Sequence, residues 1–234
     1  MLTILKKPLT IAVAALSVSA IAGCGLINDE EGYCPEGVDI YFKYDYNVQR
    51  ADMFADHVGG VTVYVFDNEG RYITEREDFN TALAADGYKM TFNLPQGEYR
   101  FIALANQRST DEINNRPGAK FRRSILATGD SPDKLTVKLD RHEAKVLNEN
   151  LSLDTLWHGM TATGITVRPL EMTSTTISLV RDTKNLTVSL HQLDDPAGID
   201  AADFDVYITD HNGHLAHDNS LLDDEMITYI PYET

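Results

Sequence analysis

The residue types able to do chemistry fall in three places along this 234-residue chain: a histidine run near its end, scattered carboxylates, and two cysteines. His211, His214 and His217, flanked by Asp210 and Asp218, are dense enough to raise a metal site. Structural zinc takes four ligands in a tetrahedral array. Asn212-Gly213 reads as a hairpin turn that sets the histidines at its mouth without converging them, so the expectation is a polar turn and no metal. The carboxylates are numerous, but a glycosidase needs two of them opposed across a sugar, a separation that lies in space and not in spacing. There is no Gly-x-Ser-x-Gly elbow, no phosphate loop and no His-Glu-x-x-His. Cys34 stands beside Pro35, poor ground for a nucleophile that must be held by a rigid shell, and reads as an inert thiol or as an odd cysteine open to intermolecular pairing. The expectation is a protein that is not an enzyme and carries no cofactor.

Cys24 is the exception. Lys6 and Lys7 precede an uncharged, almost wholly apolar segment, Leu9 to Ala22, which is the order of a secretory signal. That segment is shorter than the ~20 apolar residues a spanning helix needs, and it stops at Gly23-Cys24 with no positively charged flank. Ile21-Ala22-Gly23-Cys24 resembles the bacterial lipobox, in which small residues admit the chain to a peptidase and the thiol becomes a thioether to diacylglycerol. Residues 1–23 are then a cleaved signal, and the mature chain begins at a lipidated Cys24. Each buried methylene of an acyl chain contributes about 0.8 kcal/mol, so two or three chains hold without a spanning helix.

What must be held in place is a body of 43% apolar and 24% charged residues, the balance of a globular chain. Formal net charge is −16, and loss of Lys6 and Lys7 with the signal makes it more negative still. Such a surface repels nucleic acid and anionic lipid, so no nucleic-acid partner is expected.

Strict alternation in Val38, Ile40, Phe42, Tyr44 and Tyr46 predicts a half-buried strand. The same reading applies to Val61 to Phe66, Tyr88 to Leu94, Tyr99 to Ala105, Leu135 to Leu139, Thr175 to Arg181, Leu186 to Leu190, Phe204 to Thr209 and Met226 to Ile230. Turn residues separate many of them, among them Asp67-Asn68-Glu69-Gly70 and Leu94-Pro95-Gln96-Gly97. Helical spacing is confined to Asp52–His57 and Leu147–Leu156. Many short strands with frequent turns predict an all-β sandwich. Tyr41, Tyr44, Tyr64 and Tyr207 fall within strands and Trp157 reads as a core plug, so packing is their expected use.

An internal match sets the domain organisation. Val63-Tyr64-Val65-Phe66-Asp67-Asn68-Glu69-Gly70 aligns without gaps on Val206-Tyr207-Ile208-Thr209-Asp210-His211-Asn212-Gly213. The expectation is two domains of like topology: a tether over 24–36, a first β-sandwich over 37–160, and a second over 161–234. The second has too few strands after its copy and reads as incomplete, either because the protein is a shortened version of a longer one or because another chain supplies strands by β-augmentation.

Several stretches, in order, resemble the fimbrillin-associated anchor proteins of Bacteroidales, minor lipoproteins that hold a fimbria in the outer membrane. They are the lipobox, Tyr33-Cys34-Pro35-Glu36-Gly37, Val38 to Tyr44, Val61 to Asp67, Leu94 to Phe101, Leu156-Trp157-His158-Gly159, and Leu179 to Thr183. The acidic run Asp29-Glu30-Glu31 behind the lipidated cysteine looks like the surface-export signal of such lipoproteins. The resemblance implies two tandem transthyretin-like β-sandwich domains and a non-enzymatic role anchoring the base of a fimbria or influencing its length. It implies a fimbrial stalk subunit as protein partner and the outer membrane, by way of Cys24, as location. The residues that bind the partner are unknown at this stage. The rival from another class is a surface glycan-binding lipoprotein.

Overall fold

Strand β1 (Gly37–Lys43) alternates as its sequence predicts: Val38, Ile40 and Phe42 point into the core, and Tyr41 stands on the open face. The computed structural model describes residues 36–79, 82–85, 87–189 and 203–232. In a three-stranded first sheet, β1 lies between antiparallel β4 (Met90–Asn93) and parallel β11 (Met172–Ser178). Opposite it lies a second sheet ordered β12 (Val180–Arg181), β9 (Leu156–Met160), β5 (Gly97–Asn106), β2 (Gly60–Asp67), β3 (Tyr72–Phe79). A further strand, β10 (Ile165–Val167), pairs with the start of β5. Side chains from both sheets interdigitate in one core, where Phe101, Trp157, Ile40 and Ile177 are fully buried. Burial of each such side chain contributes about 2 kcal/mol.

The second sheet is buried on both faces. On its far side Tyr64, Phe66, Ile102 and Leu104 meet Leu135 and Val137 beneath a third sheet, ordered β14 (His214–Leu215), β7 (Val137–Leu139), β6 (Phe121–Arg123). That is why every residue from Val61 to Phe66 is buried, and not every second one. A fourth sheet, β13 (Ile208–Asp210), β15 (Ile227–Tyr229), β8 (Lys145–Val146), closes a small core of Leu139, Val146 and Ile227.

Two expected turns form as read. Asp67 receives the Gly70 N–H at 3.0 Å, with Gly70 at φ 76°, and Asp67 Oδ1 accepts from the Glu69 and Arg71 amides. After Leu94-Pro95-Gln96-Gly97, the Tyr99 hydroxyl donates to the Pro95 carbonyl at 2.9 Å. The expected helix at Asp52–His57 shrinks to α1 (Phe54–His57), where Asp52 Oδ1 accepts from both the Tyr44 and Phe54 amides.

Elsewhere the fold corrects the sequence. Leu147–Leu156 is not helical: Glu149 and Asn150 turn the chain at positive φ, and strand β9 begins at Leu156. The helix that does form, α2 (Thr110–Asn115), is closed by a capping box in which Ser109 and Glu112 each bond the other's amide. Strands β10, β11 and β12 lie beyond residue 160, yet they pair with β5, β1 and β9 respectively. The strands expected to open the second domain are therefore woven into the first sandwich. Nor do the matching octets fold alike, because the first makes the β2–β3 hairpin whereas Asn212-Gly213 carries the chain from β13 in the fourth sheet to β14 in the third. Residues 182–189 are not strand, Leu190 lies outside the described residues, and the strand expected from Phe204 starts only at Ile208.

Candidate attachment and interaction sites

Cys24 and Cys34 both lie outside the described residues, and Gly37, soon after them, opens the first strand of the sandwich. Its φ of 146° belongs to glycine, and a Cβ there would overlap the Phe92 carbonyl oxygen. The strand it opens is central, paired with β11 through seven residues and with β4 through four. Hydrogen bonds on both sides of β1 and the burial of Val38, Ile40 and Phe42 hold this strand in place.

The three histidines separate. His211 Nδ1 lies 3.1 Å from the Asp224 carbonyl, and His214 pairs with Lys138 across β14 and β7. The carbonyl of His217 meets His158 Nε2 at 2.8 Å. Among the described residues no cluster of three metal-ligating side chains occurs. What His217 joins instead is a buried polar seam, with His158 on β9 and, after β12, Asp182, whose Oδ1 accepts from Asn219 Nδ2 at 2.8 Å. Burial pushes the Asp182 carboxyl up to about 6, against the pull of the Asn219 bond. Burial also holds His158 below the usual imidazole value, while the His217 carbonyl and Asp218 pull the other way. Sequence missed this seam because His158, Asp182 and Asn219 share no spacing.

A second buried charge fixes the C-terminal part. Arg141 on the chain after β7 bonds Asp224 at 2.5 Å, each side chain only 7% exposed, with Glu225 and Lys138 beside them. Its guanidinium lies over Gly213, where a Cβ would come within 2.9 Å of Nη1.

The aromatics divide. Trp157 is buried and meets Tyr44 edge-on at 5.8 Å, and Tyr64 is buried, as expected of core residues. Tyr207 is 65% exposed and Tyr41 is exposed on the open face of the first sheet, contrary to the packing role read from sequence. Beside Tyr41's strand position, Asp39 accepts from Thr91 Oγ1 and Lys89 Nζ at 2.6 and 2.5 Å. Leu186 and Val188, after β12, and Phe204, Val206, Tyr207 and Ile208, leading into β13, are exposed.

The class these features define is an all-β protein of layered sheets whose first strand is central in its sheet. The family follows from sequence: residues 30–234 match the model of the fimbrillin-A associated anchor proteins Mfa1 and Mfa2, and the chain belongs to that family. Among solved structures, a candidate polysaccharide-binding protein of Bacteroides thetaiotaomicron is 32% identical with a TM-score of 0.72, over 84% of this chain and 65% of that one. A candidate adhesin of the same species is 28% identical with a TM-score of 0.71, over 86% and 63%. The fimbrial anchor protein Mfa2 of Porphyromonas gingivalis shares the fold, at 17% identity and a TM-score of 0.65. The chain therefore spans just under two thirds of the length of the first two. No curated protein matches it.

Proposed function

We propose that this chain is an outer-membrane lipoprotein, acylated at Cys24 and exposed at the cell surface, that anchors the base of a fimbria and bears on its length or assembly. The role is mechanical and not enzymatic: acyl chains resist extraction while the β-sandwich grips a fimbrial stalk subunit. One observation carries this reading, the family match over 30–234 with a lipobox-like cysteine just ahead of it. The central placement of β1 supports it, since the first described strand after Cys24 is bonded on both sides. A gene-deletion strain tests it by electron microscopy. Fimbriae shed into the medium or altered in length are expected, and normal cell-attached fimbriae of unchanged length would sink the idea.

A glycan-binding role is the second reading, favoured by exposed Tyr41 beside the hydrogen-bonded Asp39, Thr91 and Lys89, and by the 32%-identical relative described as a candidate polysaccharide-binding protein. Selective retention on a polysaccharide affinity gel, lost on Tyr41→Ala, would favour it over the anchor.

A further inference from the structure

Two hydrogen bonds fix which way the backbone of β11 faces. The Gly37 amide donates to the Glu171 carbonyl at 3.3 Å, and the Leu179 amide donates to the Lys43 carbonyl at 2.8 Å, at opposite ends of a parallel register running from Gly37↔Met172 to Lys43↔Ser178. In a parallel ladder, alternate residues of a strand turn their N–H and C=O groups to the same neighbour. Glu171, Thr173, Thr175, Ile177 and Leu179 therefore face β1. The amides and carbonyls of Met172, Ser174, Thr176 and Ser178 face away from it.

Among the described residues nothing pairs with that outer row. The one strand partner of β11 is β1, and its link toward β10 runs through a side chain, Thr173 Oγ1 donating to the Thr166 carbonyl at 3.1 Å. Ser174, Thr176 and Ser178 are exposed, while Ile177 fills the core on the other face. Unpaired rows are usually blunted by charge, shortness or cover. The other edges of the sandwich conform: β3 carries Glu75, Arg76, Glu77 and Asp78 and has its first residue bonded to Gly129 and Asp130, β4 has four residues, and β12 has two. By contrast β11, Met-Thr-Ser-Thr-Thr-Ile-Ser, is seven residues long with no charge and no proline.

We propose that the outer edge of β11 is an acceptor for an extended strand of a protein partner, which adds to the first sheet by main-chain hydrogen bonds through Met172, Ser174, Thr176 and Ser178. Alternating donors and acceptors at two-residue intervals, roughly 7 Å apart, are complementary to an extended backbone. The small hydroxyl side chains beside them offer no pocket, so recognition rests on main chain, and a net charge of −16 opposes a second copy as occupant. The identity of the partner as a fimbrial subunit rests on the anchor reading.

The test uses the full-length chain and, as probe, fimbriae sheared from wild-type cells and immobilised. Thr176→Pro removes an outward amide that no bond among the described residues uses, and Thr176→Lys places a charge on the edge while leaving the backbone intact. Both variants are expected to melt near the parent and to bind the fimbriae roughly tenfold more weakly or not at all. Retention equal to the parent in both would overturn the edge while leaving the anchor reading standing. Failure of the parent itself to bind would overturn the anchor reading. Should the parent sediment as a dimer that Thr176→Lys dissociates, a second copy occupies the edge and the assignment to a partner is wrong.

Discussion

Asn219 Nδ2 donates to Asp182 Oδ1 at 2.8 Å, and this bond, with the contact of His158 to the His217 carbonyl, fastens the segment after β14 onto the second sheet. It leaves Asp182 Oδ2 buried without a partner. The carboxyl binds its proton more tightly in the fold, at about 6, than in the unfolded chain, at 3.8. Its contribution to stability is therefore fully present below pH 3.8 and is lost as pH rises through 6. His158 acts with the opposite sign: its value is lowered from 6.5, so the stability it lends is present above that pH and is lost as pH falls.

Asp182→Asn isolates the first effect. The amide cannot ionise, so the variant should gain about 1 kcal/mol over the parent at pH 7.5 and a smaller amount at pH 4.5. Trp157, the single tryptophan and a core residue, makes urea unfolding visible by fluorescence. An equal gain at both pH values would show that ionisation is not the cause.

Gly159 lies where β9 passes under the crossover from β11 to β12. A Cβ there would meet Ile177 Cγ2 at 2.6 Å, the Ser178 carbonyl oxygen at 2.7 Å and Leu179 Cδ2 at 3.0 Å. Gly159→Ala should cost about 2 kcal/mol, as overpacking does. Denaturant midpoints would measure it, and a neutral result would mean that the crossover shifts freely.

The turn before β8 is strained. Glu143 and Ala144 both adopt positive φ, 47° and 60°, within a two-residue loop closed by reciprocal bonds of 2.9 Å between His142 and Lys145. Asn-Gly or Asp-Gly is the usual occupant of such a loop. Ala144→Gly should raise stability by about 0.5 kcal/mol, because relief of the strained φ exceeds the added freedom of the unfolded chain. Thermal melts that fall instead would contradict the strain.

The same loop shows where sequence reading stops. Strand β8 went unread because Glu143-Ala144 carries no turn signal, and β3 because the charged run Glu75 to Asp78 breaks its alternation, its strand conformation being imposed by seven residues of β2 beside it. Strands β1, β2 and β5 were legible, since their apolar residues follow the faces they bury. Leu186 to Leu190 has equally good alternation, yet residues 186–189 form no strand, because a pattern proposes a strand and only a neighbour makes one. The octet match misled for a related reason: short strand-and-turn vocabulary recurs, while the pairing of β11 with the distant β1, of β10 with β5 and of β12 with β9 is set by tertiary contact. Tyr41 was read as packing because strand position says nothing of which face is covered. Cys24 is read from motif alone and lies outside the described residues.

Replacement of Cys24 by Ser, in a strain otherwise wild type, tests the anchor most directly. With no thiol to acylate, the chain should leave the membrane fraction, and fimbriae should appear in the culture supernatant at the expense of those on the cell. Fimbriae that stay on the cell in normal number and length while the Cys24→Ser chain is soluble would contradict the account.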